Sequence, residues 1–359
     1  MENVLFLAEE LRIGGAETYF YLIENRIDRS KINFYSMAVN GSEYNRLTQP
    51  KKYFEYSFSP INRLNKIYQV CKKKHINVIH ANSLQLAVIA SIIKKIGNKN
   101  ITIIYTKHNL TRLEKMNKKM YVNFLNKNID LVNVICIKEK NELIKWGVKE
   151  EKIKVIYNGI NIDEFPYKPH VKSIDNKIKI GILARLDKVK NHTLFLSIAK
   201  KLHTMFPNTE YYIGGDGEEK SDLLNIVKNE KMDDYVHFCG YVKANSFLQK
   251  IDYLLLVSKR EVLPISIIEA MASGVIVVSK EVGGVNELID SSIGYLVKGE
   301  NEKDYLKAFS DSFSSNNENE KTYLARKKVE KMFSINTTLS EIENLYLEIN
   351  KRYIEKEGE

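Results

Sequence analysis

Short apolar runs alternate with helix-length amphipathic segments along the whole chain, and this rhythm limits what it can fold into. Val4 to Ala8, Phe34 to Val39, Val78 to His80, Ile101 to Thr106, Leu131 to Ile137 and Ile153 to Ile156 are short and mostly rich in Val, Ile and Leu, as buried strands are. Between them, helical spacing runs from the loop Gly14-Gly15-Ala16-Glu17 to about Arg26, then over 61–74, 84–95, 112–127 and 139–146. A second series opens at Lys179 to Leu183. It continues through a helix from His192 to Met205 and strands at Tyr211 to Gly214, Val236 to Val242, Ile251 to Val257 and Val275 to Val278. Strand, helix and strand in repetition give a parallel sheet covered on both faces, with its ligand crevice at the C-terminal ends of the strands.

The 359 residues suffice for two such domains. The polar, proline-containing stretch Tyr167 to Lys177 is the expected linker, and Ser310 to Lys321 reads as a helix end and loop. Ile335 to Ile354 reads as a closing helix. The expected division is 1–168, 169–334 and 335–359. The three cysteines, Cys71, Cys136 and Cys239, are an odd number without metal spacing, which suggests reduced thiols and a cytoplasmic protein. The start MENVLFLAEE lacks the basic n-region and the apolar length of a signal peptide, and polar residues interrupt Ile76 to Ile93, so no membrane span is expected there.

Charge is unevenly placed. Residues 1–170 hold 28 Lys and Arg against 16 Asp and Glu, while the remainder holds 27 against 29, so the first half carries the whole basic excess. Nucleic acid, an anionic membrane and a phosphate-bearing substrate all account for such an excess. No nucleic-acid-binding motif is visible. From Tyr56 through Leu113 there is no acid, and the adjoining 112–127 segment places 113, 116, 120, 121 and 124 on one helical face, so an anionic membrane surface is a candidate partner.

The chemistry concentrates in SKREVLPISIIEAMASGVIVVSKEVGGVNE, Ser258 to Glu287. Pro264 suits a helix start and Gly274 a helix end. Glu261 stands in the turn and Glu269 inside the apolar helix. They are either a turn acid and a helix acid bonded to backbone, or two carboxylates holding two ends of one ligand. A fully helical spacing of eight residues is roughly 12 Å. That exceeds the roughly 5–10 Å of a hydrolase pair and approaches the span of a nucleotide-sugar. The helix N-terminus near Ile265 would then face the diphosphate, and Gly283-Gly284 makes a second loop near the same ligand. No Asp-x-Asp, His-x-x-x-His or cysteine cluster suggests a metal site. Gly14 and Gly15 form an anion-binding type of loop or simply turn a corner.

E-x7-E followed by A-M-A-x-G and G-G-V-x-E-L-I resembles family 4 of the retaining glycosyltransferases, of the bacterial polysaccharide-biosynthesis kind. The resemblance covers most of the chain and is most specific in the second half. It implies an α/β protein of the GT-B fold, with two Rossmann-like doubly wound parallel-sheet domains facing a central cleft. The first domain would bind the acceptor, the second the nucleotide-sugar, and the final helix would cross back to the first. It also implies a metal-independent, retaining transferase without a cofactor, moving a sugar from a nucleoside diphosphate, UDP by preference, to a glycan or polyprenyl-diphosphate-linked acceptor.

By the same resemblance Arg185 and Lys190, otherwise a solvated strand end, hold the donor diphosphate. His108, otherwise a turn histidine, lies near the sugar, Glu261 holds sugar hydroxyls and Glu269 the ribose. Val262, Leu263, Pro264, Ile265, Gly215, Tyr241, Val242 and Asn158 complete the donor site, with Gly14 and Gly15 as an acceptor or phosphate loop. The segment Asn158-Gly159-Ile160-Asn161 resembles the family's N-G-I-D, with Asn161 in place of Asp. Val262, Ala184 and Ile276 replace the family's glycine, glycine and proline. Nucleotide-sugar epimerases and catalytically silent partner subunits share the fold and stand as alternatives.

Overall fold

The structure, a computed structural model, describes residues 2–11, 14–48, 52–97, 99–169 and 177–357, with side chains described as far as Ile349. The chain forms two compact units. The first is Met1–Gly159 with Ile335–Glu359, and the second is Ile160–Ser334.

In the first unit the elements follow as β1 (Asn3–Glu10), α1 (Gly15–Arg26), β2 (Asn33–Val39), β3 (Tyr53–Glu55), α2 (Pro60–Lys73), β4 (Val78–Ala81), α3 (Leu84–Ile96), β5 (Thr102–Lys107), α4 (Arg112–Met116), α5 (Lys118–Asn128), β6 (Leu131–Val134), α6 (Ile137–Trp146) and β7 (Ile153–Val155). All seven strands are parallel, in the order β3-β2-β1-β4-β5-β6-β7. The period of two along a strand splits β1 between two cores. Leu5 and Leu7 pack with Ile67 of α2, Leu86 and Ala90 of α3, Tyr121 of α5 and Leu143 of α6. Val4 and Phe6 face the other way, toward Phe20 of α1 and toward α14 (Ile335–Glu357), whose Ile335, Leu339, Ile342, Tyr346 and Ile349 recur at helical spacing. Both sheet faces are therefore dry, which is why β1 reads as an unbroken apolar run.

The second unit repeats the plan with β8 (Ile178–Leu183), α7 (His192–Met205), β9 (Thr209–Gly214), α8 (Lys220–Asn229), β10 (Val236–Gly240), α9 (Ala244–Leu248), β11 (Tyr253–Leu256), α10 (Ile265–Ser273), β12 (Ile276–Lys280), α11 (Val285–Leu288), β13 (Tyr295–Val297), α12 (Glu302–Ser314) and α13 (Glu318–Met332). The parallel order β10-β9-β8-β11-β12-β13 is that of a dinucleotide-binding sheet. Two parallel, doubly wound sheets are the building plan of GT-B proteins.

Three expectations are corrected. The helix expected over 112–127 is two helices broken at Asn117, whose backbone (φ −151°, ψ 86°) leaves the helical region and whose side chain accepts from Met120 N. Its expected outer face is largely inner, since Tyr121 is buried and Leu113 and Phe124 pack on the core. Residues 160–168, assigned to the first domain, belong to the second unit: Ile160 N bonds Phe333 O, Lys168 N bonds Ser273 O, and Arg326 donates to Phe165 O. The polar stretch Ser310 to Lys321 contains only three residues between helices, because α13 begins at Glu318 with two acids in its first turn, where the helix dipole favours them. Glu261 lies outside α10, in the turn expected for it, so the roughly 12 Å of a fully helical spacing does not measure its distance from Glu269. The linker expected at Tyr167 to Lys177 falls largely on residues 170–176, outside the described residues.

Candidate functional site

The second sheet reverses its winding between β8 and β11, and a crevice opens at the C-terminal ends of strands on either side of such a reversal. Beyond β8 the chain runs through Ala184, Arg185, Leu186 and Asp187 into a turn. Asp187 holds that turn, its Oδ1 accepting from Val189 N (3.0 Å) and Lys190 N (3.2 Å), as Asx turns do. Lys259 N bonds Val189 O at 2.8 Å and ties the turn to the chain leaving β11. Across this junction Lys190 Nζ donates to Glu261 Oε1 at 2.7 Å. Arg185 stands 80 % exposed, its guanidinium 3.4 Å from Asp187. His192, opening α7 beside them, is fully buried, and burial pushes it down to about 4, so it adds no charge.

The other strand ends support the same turn. Gly215 N bonds Gly240 O (2.8 Å), and a Cβ on Gly215 would come within 1.9 Å of Ala184 O, so only glycine lets β9 pass so close to β8. Tyr241 and Val242 follow β10 along this edge, with Tyr241 62 % exposed. Gly283 (φ 59°) faces Glu261 O so closely that a Cβ would lie 2.1 Å from it, and Gly284 N bonds Val262 O at 2.7 Å. The expected second ligand loop thus buttresses the Glu261 turn.

α10 starts after Pro264 without a side-chain cap, and Ile267 N bonds Pro264 O at 3.2 Å. Val262 and Ile265 are half-buried, whereas Leu263 and Pro264 are buried and offer a ligand little beyond backbone. Glu269 is half-buried and has no hydrogen-bond partner among the described residues. Burial, and then the negative charge of Glu164, push its carboxyl up to about 8.

In the first unit, His108, Gly14, Gly15 and Asn158 also lie beyond strand ends, after β5, β1 and β7. His108 is 8 % exposed and rests edge-on against Tyr19, ring centroids 4.8 Å apart. Asn82, which the sequence reading missed, fixes its tautomer. Asn82 Nδ2 donates to Ala16 O (3.0 Å), so its Oδ1 must accept from His108 Nε2–H (2.5 Å). His108 Nδ1 is then a bare acceptor without a partner, and burial holds the ring near pKa 3, hence neutral. Behind it, buried His80 meets Tyr346 (2.6 Å) and Thr106 (2.5 Å). Next to His108, Lys107 is fully buried between Glu114 (3.2 Å) and Glu139, and Glu114 also accepts from Thr111 N at 2.9 Å, closing the 108–111 loop. Polar residues at a strand end, His80-Ala81-Asn82-Ser83, were the available signal for Asn82.

Glu17 folds back over Gly14, its carboxylate 2.2 Å from where a Cβ would sit, so the chain's own acid stands at the N-terminus of α1. Asn158 is 3 % exposed with an unpartnered Oδ1. Among the described residues no three His, Cys, Asp or Glu side chains gather to hold a metal ion, and no helix is long and apolar enough to cross a membrane.

Comparison with known proteins agrees with this geometry. An uncharacterized 41.2 kDa protein in the cps region of Klebsiella pneumoniae is 25 % identical, covering 98 % of this chain and 100 % of that one. The O-antigen biosynthesis glycosyltransferase WbnH of Escherichia coli is 26 % identical over 316 residues, 83 % of this chain and 86 % of its own. Among solved structures, Anabaena HepE in complex with UDP-glucose superposes with a TM-score of 0.81 at 19 % identity over 95 % of this chain and 98 % of that one. Sucrose-phosphate synthase of Thermosynechococcus elongatus gives 0.83 at 14 % identity over 98 % of this chain and 100 % of that one. Residues 13–164 match Glycosyltransferase Family 4 and residues 164–329 match Glycosyl transferases group 1. With two parallel-sheet units and family matches that meet at Glu164, the chain belongs to the GT-B glycosyltransferases.

Proposed function

We propose that this glycosyltransferase takes its sugar from a UDP-sugar, with retention and without a metal ion, and delivers it to a lipid-linked glycan in surface-polysaccharide assembly. The observation that carries the donor half is the Lys190–Glu261 pair at the β8/β11 reversal, beside exposed Arg185 and the uncapped start of α10. When the sugar C1–O bond to the diphosphate breaks, negative charge grows on the departing oxygen. Arg185, Lys190 and the α10 N–H groups are oriented donors for that charge, where it is most effective to place them. An acceptor hydroxyl attacks C1 from the face the diphosphate leaves, and its proton passes to the leaving phosphate oxygen. Glu261 then holds sugar hydroxyls, exchanging part of its bond to Lys190 for them, and Glu269 accepts from the ribose. His108, neutral and with Nδ1 bare, accepts a sugar hydroxyl and does not serve as an acid. Arg326 and Glu330, by contrast, pair with each other on α13 and take no part.

UDP is favoured by the Anabaena neighbour's bound UDP-glucose, and a polysaccharide acceptor by the O-antigen transferase among the relatives. Thermal unfolding with UDP, GDP, ADP or dTDP tests the donor. A ligand at 100 times its Kd adds about 2.7 kcal/mol, so UDP should raise Tm by several degrees and the others less. A shift with none of the four would overturn the donor assignment. Loss of turnover in EDTA with recovery in magnesium or manganese would overturn the metal-free mechanism.

A further inference from the structure

The acid-free stretch from Tyr56 to Leu113 folds into the neighbouring helices α2 and α3 on one face of the first sheet. Both cross back between parallel strands, so they run alongside one another. On α3, Val88, Ile92 and Ile96 are 37 %, 39 % and 63 % exposed at steps of four, a single apolar stripe left in solvent. A core helix ordinarily turns charge outward at these positions. On α2, Ile61 is 82 % exposed and Phe58, just before it, 62 %. The same two helices and the turn after α3 carry exposed Lys66, Lys72, Lys73, Lys95 and Lys99. Between the helices lies a groove of about 350 Å³, with buried Cys71, Ile93 and Ile101 inside and exposed Lys72 and His75 among its lining residues.

We propose that the α2–α3 face is the surface by which the protein docks on an anionic lipid bilayer, the apolar stripe entering the acyl boundary and the lysines meeting phosphate headgroups. The proposal rests on the lipid-linked acceptor reading, and it moves the membrane contact away from the segment 112–127. There Tyr121 and Leu125 are buried, and only Met116 and Met120 remain exposed. Two of the ten basic residues in the acid-free stretch do not contribute, because Lys107 is buried with two carboxylates and Arg63 is buried over the Tyr56 ring. A second copy of the chain is a poor occupant, since a twofold contact would bring the same lysines face to face. Each basic group at an anionic leaflet multiplies partitioning by about five, so the five exposed lysines bind reversibly and in a salt-dependent way.

Co-sedimentation with vesicles of phosphatidylcholine alone, or mixed in equal parts with phosphatidylglycerol, is the test. The full chain should sediment with the mixed vesicles at low salt and be released at high salt. Ile92→Glu with Ile96→Glu should reduce the bound fraction about tenfold or more, as two apolar groups leave the interface and two negative charges enter it. Lys118→Gln with Lys119→Gln on α5 should leave it nearly unchanged. Wild-type binding by the α3 variant, equal binding to both vesicle types, no binding, or a salt-sensitive dimer in place of vesicle binding would each overturn the proposal. The UDP-dependent Tm shift, measured on the same variants, separates the two readings. If docking fails while the shift remains, only the surface is wrong, and if the shift is absent in the wild type, the donor assignment fails independently.

Discussion

At the C-terminal edge of the second sheet the cations stand in or near solvent, with Arg185 80 % exposed and Lys190 joined to a single carboxylate. At the same edge of the first sheet, His80 and His108 are buried and neutral, and buried Lys107 lies between two carboxylates. The same topology thus carries two chemistries. One edge holds each of its two cations against a single carboxylate at or near the surface. The other cancels its charge internally, around two buried neutral rings of which only His108 keeps an unpartnered nitrogen. What separates them is burial, because an isolated charge inside is costly and a paired one is tolerated.

The largest expected effect is on the first edge. Lys107→Met leaves Glu114 and Glu139 without their cation, and urea unfolding should show a loss of about 3–5 kcal/mol. A stability close to the wild type would show that Lys107 does not neutralise Glu114 and Glu139.

Two glycine substitutions sharpen the contrast. Gly283→Ala places a Cβ against Glu261 O at a positive φ, so about 1–3 kcal/mol of strain should appear together with reduced turnover. Gly14→Ala meets only the flexible end of Glu17 at φ 172°, and it should be nearly silent in both assays. Equal effects from the two would mean that the Gly283 loop does not brace Glu261.

A smaller effect concerns pH. Between its ordinary 4.5 and about 8, Glu269 keeps a proton in the folded chain that the unfolded chain has lost. Its contribution to stability is therefore present below 4.5 and lost as pH rises through 8. A carboxylate that accepts ribose hydroxyls must first release that proton, so UDP affinity should rise by up to about tenfold per unit toward pH 8 and then level. Glu269→Gln should abolish the slope. His108, at about 3, should contribute no step to turnover from pH 5 to 8. A slope that persists in Glu269→Gln would assign it to another group.

The parallel, doubly wound sheets and the turn at Ser258 to Glu287 were legible because local patterning encodes them: apolar strand runs, Pro264 before α10, Gly274 after it. The strands β3 and β13 are only three residues long and five-residue α9 is too short for a periodic pattern, whereas α8 was missed although its buried Leu223 and Val227 recur at helical spacing. The break at Asn117 was hidden because the apolar pattern continues through it, while a side-chain cap decided the backbone. Long-range partners were invisible for a different reason. Asn82 reaches His108 across 26 residues, and His80 reaches Tyr346 across 266, pairings that no local spacing records. The Lys190–Glu261 pair was also unforeseen, although both residues were singled out, because each had been assigned to a different part of the donor.

Calorimetric titration of UDP into the wild type, Lys190→Ala and His108→Ala tests the division of labour most directly. Loss of a charged hydrogen bond is worth about 1.5–3 kcal/mol, so Lys190→Ala should weaken UDP by about ten- to a hundredfold. His108→Ala should bind UDP as the wild type does while turning over more slowly. UDP weakened equally by both substitutions, or by His108→Ala alone, would contradict the assignment of the nucleotide to the second unit.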